Sequence, residues 1–315
     1  MATIQPVVLF FIMGVLAGVL KSDLKIPEAL YKSLSIFLLI AIGLKGGVAM
    51  SKYNIMEVLP TASVLIVLAA LIPLVAYPIL KYLGKFNQAD SGAIAAHYGS
   101  VSAVTFAVAV AFAESINEPY EGYMALFLAL LEIPALVTGT ILARMGAKGT
   151  TQWGKLLHEI LTGASIFLLV GAVAIGYYAG SKNIAPLDKM FFDLFMGALA
   201  FFLLEMGLLA SGRLKTIAKK GPFLVAFGIL FPLSSGVLGA FLGWTFGLSP
   251  GGTMILAVLY ASSSYIAAPA AMRIAVPEAD PAVSIGVSLG VTFPFNIFIG
   301  VPIYWWMAKW FHGVA

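Results

Sequence analysis

Three consecutive hydroxyls, Ser262, Ser263 and Ser264, lie with Pro269 and Arg273 in the otherwise apolar stretch Tyr260-Ala-Ser-Ser-Ser-Tyr-Ile-Ala-Ala-Pro-Ala-Ala-Met-Arg273. Serine side chains compete for their own backbone, and a proline removes a donor and clashes one turn back, so an unbroken helix is not expected here. A second stretch, His97-Tyr-Gly-Ser-Val-Ser-Ala-Val-Thr105, has the same character. A helix restarting near Ser102 or Ser264 presents unpaired N–H groups and a partial positive charge, which suits an anion. Ser100, Ser102, Thr105, Ser262, Ser263 and Ser264 add small donors able to replace a hydration shell. The plainer reading is that serine and glycine only allow close helix packing. Two related clusters beside two expected breaks favour a ligand.

Carboxylates supply the other half of the chemistry. Glu132 and Glu205 are the acidic residues deepest within apolar segments, where each costs ~2.5–3.5 kcal/mol on insertion scales. Glu132 precedes Pro134, and Asn296 follows Pro294, so two proline-broken helices are expected to bring oxygen ligands toward the centre. Hard cations take such ligands, which makes Glu132, Asn296 and Glu205 candidates for a sodium site. Their alternative is an ion pair or a protonated carboxyl bonded to backbone. His97 has the chemistry of a proton shuttle, although a lone helical histidine is more often a hydrogen-bonded structural residue. Arg273 either attracts the anion or sits at a cytoplasmic mouth, and Pro277 soon after it favours the mouth.

The elements that must position these groups are membrane helices. Of the 315 residues, 61% are hydrophobic and 10% charged, against about 25% charged in an ordinary soluble domain. A span needs ~20 apolar residues, and the chain offers about ten: roughly 3–20, 30–48, 56–80, 90–113, 122–143, 156–179, 189–210, 221–246, 253–274 and 283–310. The first run lacks a basic n-region and is treated as a retained span rather than a signal peptide. Ile26-Pro27-Glu28, Lys85-Phe86-Asn87, Asn117-Glu118-Pro119, Lys148-Gly149-Thr150, Gly247-Leu248-Ser249-Pro250 and Glu278-Ala-Asp280-Pro281 mark turns between spans.

Loops after the odd spans hold 13 of the 18 Lys and Arg residues and the other side 5. The odd loops are therefore expected in the cytoplasm, with both termini outside and the chain multi-pass in the inner or plasma membrane. Trp305, Trp306 and Trp310 fit an outer aromatic belt.

The halves echo one another. Phe37…Gly43-Leu44 matches Phe201…Gly207-Leu208, Pro60 matches Pro222, Tyr98-Gly-Ser matches Tyr260-Ala-Ser, and Pro134 matches Pro294, at offsets of 164, 162, 162 and 160. Five spans per copy is odd, so the second copy must be inverted. The expectation is an all-α integral membrane protein of two inverted five-helix repeats, residues 1–147 and 148–315, with discontinuous helices 4 and 9 crossed. Paired interruptions of this kind point to a secondary transporter. No cysteine is present, which removes disulfides, thiolate metal sites and Cys nucleophiles. No phosphate loop, His-Glu-x-x-His or Gly-x-Ser-x-Gly appears, so an enzyme is not expected. Nothing in the sequence suggests a nucleic-acid partner or a cofactor.

Phe202-Leu-Leu-Glu-Met-Gly-Leu-Leu-Ala210, Ala261-Ser-Ser-Ser-Tyr-Ile-Ala-Ala-Pro-Ala-Ala-Met-Arg273 and Thr292-Phe-Pro-Phe-Asn296 resemble the sodium-dependent bicarbonate transporter family, as do Ile133-Pro-Ala-Leu-Val137 and Gly43-Leu-Lys-Gly-Gly47. The resemblance covers essentially all ten spans. It implies sodium-coupled bicarbonate uptake, an elevator-like movement of a core against a scaffold, a homotrimer and a PII-like cytoplasmic regulator. It also implies bicarbonate on the serines at 102 and 262–264, with Na+ nearby as coupling ion. The family's central polar loop is longer than the Arg144–Lys155 segment here, which bears against the regulator more than against transport. Two other readings remain at this stage. One is a Na+/H+ exchanger or a carrier of another small anion, and the other is a membrane-embedded binding or signalling protein.

Overall fold

The computed structural model describes residues 5–145 and 153–314, with the side chains of 214–220 left aside. The expected turn at Lys148-Gly149-Thr150, most of the Arg144–Lys155 loop and the boundary between the halves lie outside the described residues. Every regular element among the described residues is helical. Among the described residues eight helices are long and apolar enough to cross a membrane, and Pro6–Val19 and Pro250–Ala261 are shorter apolar helices.

In chain order the helices begin with α1 (Pro6–Val19), α2 (Glu28–Met50) and α3 (Ile55–Pro78), the last running into a π-turn at Ile79–Leu83. Next come α4 (Gln88–Gly99), α5 (Ala103–Ser115), α6 (Met124–Arg144), α7 (Trp153–Thr162), α8 (Ala164–Ile184) and α9 (Asp188–Phe191). The chain continues through α10 (Phe195–Lys220), α11 (Pro222–Thr245), α12 (Pro250–Ala261) and α13 (Ala267–Ala275). Its last span joins α14 (Pro281–Val287), α15 (Phe293–Phe295) and α16 (Val301–Phe311) through π-turns at Ser288–Thr292 and Asn296–Gly300.

Local chemistry sets the boundaries. Asn87 caps α4 by accepting the Asp90 N–H at 2.7 Å, and Ser249 caps α12 by accepting the Gly252 N–H at 3.0 Å. Each spares an orphan donor of the first turn. Gly221 takes φ 94°, a conformation open to glycine, so the chain turns there before Pro222 opens α11 at its favoured first position.

Two groups of helices result. α1 packs along α10 and α2 along α8. Small residues allow the approach: a side chain on Gly14 would strike the Leu204 carbonyl, one on Gly207 the Phe11 carbonyl, and one on Gly47 the Val173 carbonyl. In lipid such close backbone contact is what holds helices together. The second group packs α4 against α6 and α3, and α12 against α11 and α16. Its two parts join where α5 meets α12.

Three expectations need correction. The helix through Pro134 is unbroken: α6 runs from Met124 to Arg144 with the proline inside. The span through Pro294 is also continuous, absorbing the missing N–H in flanking π-turns. The expected span 156–179 is divided at Gly163. Its first part, α7, buries Leu156 and Ile160 and exposes Lys155, Leu157 and His158. That is the pattern of a surface helix rather than a crossing one.

Candidate functional site

The two interrupted helices meet at their breaks. α4 ends at Gly99, Ser100 and Ser102 are extended with Val101 between them outside any helix, and Ser102 caps α5 by accepting the Thr105 N–H at 3.2 Å. α12 ends at Ala261, and α13 starts at Ala267, three residues beyond the restart expected at Ser264. Pro269 thus falls in a first turn, where a missing N–H costs nothing. The Ser102 N–H donates to the Ser262 hydroxyl at 3.0 Å, and the Ser264 N–H donates to the His97 carbonyl at 2.9 Å. Non-helical backbone at this depth survives because each break satisfies the other.

A narrow cavity of about 20 Å³ opens at this junction, lined by Ser102, Glu132, Ser165, Ser264 and Tyr265. By this measure it holds about one water, so a four-heavy-atom oxyanion needs its walls to separate. The polar atoms around it have spare capacity. Ser100 Oγ and Tyr265 Oη are buried and have no hydrogen-bond partner among the described residues. The Glu132 carboxylate stands beside the Ser100 hydroxyl, and Tyr265 stands beside Ser102, both short of full hydrogen-bond geometry. Buried polar atoms are ordinarily paired, so these groups keep the capacity to bind a further polar partner. The amide ends of α5 and the hydroxyls fit an anion, and Glu132 fits a cation.

The other sequence candidates divide. Thr105 is buried on the first turn of α5. Ser263 is paired away from the cavity, with the Ser288 hydroxyl at 2.6 Å, and the Ser262 hydroxyl donates to the Leu259 carbonyl at 2.9 Å. Asn296 is fully buried, its Nδ2 donating to the Ala261 carbonyl at 2.8 Å while its Oδ1 accepts from Tyr304 at 3.1 Å. It fixes the end of α12 rather than lining the cavity. Glu205 lies on α10 near Tyr31, also outside the cavity.

Residues 6–309 match the Na+-dependent bicarbonate transporter superfamily. The chain belongs to that superfamily. No curated protein matches it significantly. Membership makes this a membrane transporter family protein rather than an enzyme, and its named substrates, bicarbonate and Na+, agree in charge with the two kinds of group around the cavity.

Sequence reasoning assigned no role to two groups in this bicarbonate transporter homologue. Tyr265 sits inside the serine stretch but reads as an apolar neighbour, because only the fold shows its hydroxyl buried without a partner. Ser165 lies in the first turn of α8, 99 residues before Ser264, and no local signal links the two.

A wider cavity of about 170 Å³ lies between α2, α5 and α9, lined by Lys45, Phe106, Glu114, Tyr120, Phe191 and Phe195. Ile42 borders both this space and a small one that shares Leu39 and Ala103 with the central cavity. Lys45 and Glu114 form an ion pair in it, and Tyr120 donates to Glu114 at 3.2 Å. Burial, with the Glu114 carboxylate beside it, raises the Tyr120 phenol above its ordinary value, so it remains a donor.

Proposed function

We propose that this chain is a Na+-coupled symporter carrying bicarbonate into the cytoplasm by elevator-type alternating access. The observation that carries the reading is the convergence of Glu132, Ser102, Ser264 and Tyr265 on one cavity where the two breaks meet. The anion rests against the first turn of α5 and the hydroxyls of Ser102 and Ser264, with Ser100 and Tyr265 adding donors. Sodium binds at the Glu132 carboxylate. Asn296 contributes through the Ala261 carbonyl it holds, and Glu205 acts outside this cavity.

Coupling follows from charge. A lone anion or a lone Glu132 carboxylate is expensive in a dry interior, so the loaded core crosses most readily when sodium and bicarbonate are both bound. The moving core comprises α3–α6 and α11–α16, and the scaffold α1, α2, α8 and α10. An inverted repeat is supported by paired contacts. Gly43 faces α8 while its sequence partner Gly207 faces α1. The Asp280 N–H bonds Asp90 at the start of α4, while Glu121 accepts the Ser249 N–H at the start of α12. The cation-rich face is taken as cytoplasmic, which leaves both termini outside, and the trimer implied by the family resemblance is taken as the assembly.

The test is uptake of labelled bicarbonate into sealed proteoliposomes under an imposed sodium gradient, with potassium substituted as control. Sodium-driven accumulation, lost in Ser264→Ala and shifted to at least tenfold higher sodium in Glu132→Gln, is the expected result. Well-reconstituted protein that shows no sodium-dependent uptake would overturn the symport assignment.

A further inference from the structure

Behind the break in α12 lies a separate cavity of about 110 Å³, lined by His97, Met272, Arg273, Pro281 and Ser284. It occupies the face that carries the Arg144–Glu278 ion pair, whose neighbour Ala279 also borders it. His97 is fully buried. Its Nδ1 lies 3.0 Å from the Ala93 carbonyl, and since a carbonyl only accepts, Nδ1 carries the hydrogen. In the neutral ring Nε2 is then an acceptor, and it has no partner among the described residues. A buried acceptor without a donor is costly, and here it belongs to a ring in the wall of a cavity with room for several waters.

Arg273, in the last turn of α13, adds a cation to the same wall. The nearby carboxylates are occupied. Glu278 pairs with Arg144 at 2.8 Å, Asp90 accepts the Asp280 N–H at 2.7 Å, and Asp280 accepts the Ala282 N–H at 2.9 Å. Among the described residues no carboxylate forms an ion pair with Arg273, whose exposed guanidinium only donates, and the wall adds one buried imidazole nitrogen that only accepts. A planar anion without a proton satisfies the first and leaves the second orphaned. An oxyanion that keeps one O–H satisfies both.

We infer that this cavity is a second binding site, selective for a protonated oxyanion of the bicarbonate class. The O–H donates to His97 Nε2 and the anionic oxygens accept from Arg273. The inference rests on the proposed function for its naming of bicarbonate. Its position gives it a role as a release-side station. The His97 carbonyl holds the Ser264 N–H, and Ser264 lines the central cavity, so one backbone hydrogen bond separates the two sites. An anion leaving the central cavity passes this hydrogen bond and exchanges its amide donors for a guanidinium.

The test uses the full chain with 15N-labelled histidine in nanodiscs. There are three histidines, and His97→Gln assigns the resonances of His97. At constant pH, adding bicarbonate should move the His97 Nε2 resonance saturably, while nitrate, which has no O–H, should not. Arg273→Gln should weaken the apparent affinity at least tenfold, and Glu132→Gln should leave the response in place. Unchanged His158 and His312 resonances verify folding in each variant. No movement with bicarbonate, equal movement with nitrate, or loss of the response in Glu132→Gln would overturn the second site. If the response is present but sodium-driven uptake is absent, the second site stands and the symport reading falls. If uptake is present without the response, symport stands and the second site falls.

Discussion

The backbone N–H of Ser102 donates to the hydroxyl of Ser262 at 3.0 Å, across 160 residues of chain. Each interrupted helix thus completes its hydrogen bonding with groups from the other half. Water is scarce at this depth and an unsatisfied backbone group costs several kcal/mol, so neither break is expected to persist without its partner. The site is a property of the pair, which is why it lies where the halves join.

Ser262→Ala should therefore harm folding as well as transport. The substitution leaves the buried Ser102 N–H without an acceptor, a loss on the order of 1–3 kcal/mol. A thermal melt in detergent should show a lower midpoint than wild type, and uptake should fall. Ser264→Ala keeps the backbone bond to His97 but takes away the hydroxyl that accepts the buried Ala268 N–H at 3.2 Å, so it should lose uptake and lower the midpoint as well. Equal melting of Ser262→Ala and wild type would mean that the Ser102–Ser262 bond does not hold the breaks together.

Glu132→Gln separates charge from shape. The side chain keeps its size and hydrogen-bonding capacity beside Ser100 but can no longer neutralise a cation. The expected outcome is a rise of at least tenfold in the sodium concentration needed for half-maximal uptake, with a thermal midpoint equal to or above wild type. A higher midpoint is reasonable because an uncompensated buried carboxylate is costly. Unaltered sodium dependence would remove Glu132 from the coupling site.

The Lys45–Glu114 pair borders the wider cavity, and both side chains are more than a third exposed. Pairs of that kind add little stability, so the effect to look for is on substrate attraction. Glu114→Gln should lower the KM for bicarbonate and Lys45→Gln should raise it, both effects shrinking as ionic strength increases. Neither should move the thermal midpoint appreciably. KM values unaffected at low salt would show that the anion enters by another route.

Much of this was legible in the sequence because membrane helices leave a strong one-dimensional signal. The breaks at Ser100–Ser102 and Ser262–Ser264 were readable from serine and proline chemistry alone, and so was the burial of Glu132. The positions of Asn296 and Glu205 were not. A proline was expected to break its helix and free an oxygen, yet α6 runs straight through Pro134 and π-turns accommodate Pro294. Asn296 spends both ends of its amide on Ala261 and Tyr304, which depends on the packing of α12 against the last span. The His97 ring was visible as a titratable group, but its unpartnered Nε2 is a three-dimensional fact. The division of one expected span into α7 and α8 follows from an amphipathic pattern too short to stand out against apolar surroundings.

The scaffold gives the last prediction, through a contrast between two glycines on one helix. Gly207 lies where α10 meets α1, and a side chain there would drive into the Phe11 carbonyl. Gly197, nearly three turns earlier on the same helix, has open space around it. Helix propensity favours alanine over glycine by roughly 0.5–1 kcal/mol at both positions. Only at Gly207 does the backbone of another helix stand in the way, and backbone, unlike a flexible side chain, yields only if the whole helix shifts. Gly197→Ala should therefore leave the thermal midpoint unchanged or raise it, whereas Gly207→Val should lower the midpoint and broaden the size-exclusion profile. Because α1 and α10 belong to the proposed static scaffold, Gly207→Val protein that remains folded should keep its sodium KM and lose maximal rate. A changed sodium KM with full maximal rate would place α10 in the moving core and contradict the assignment of the two bodies.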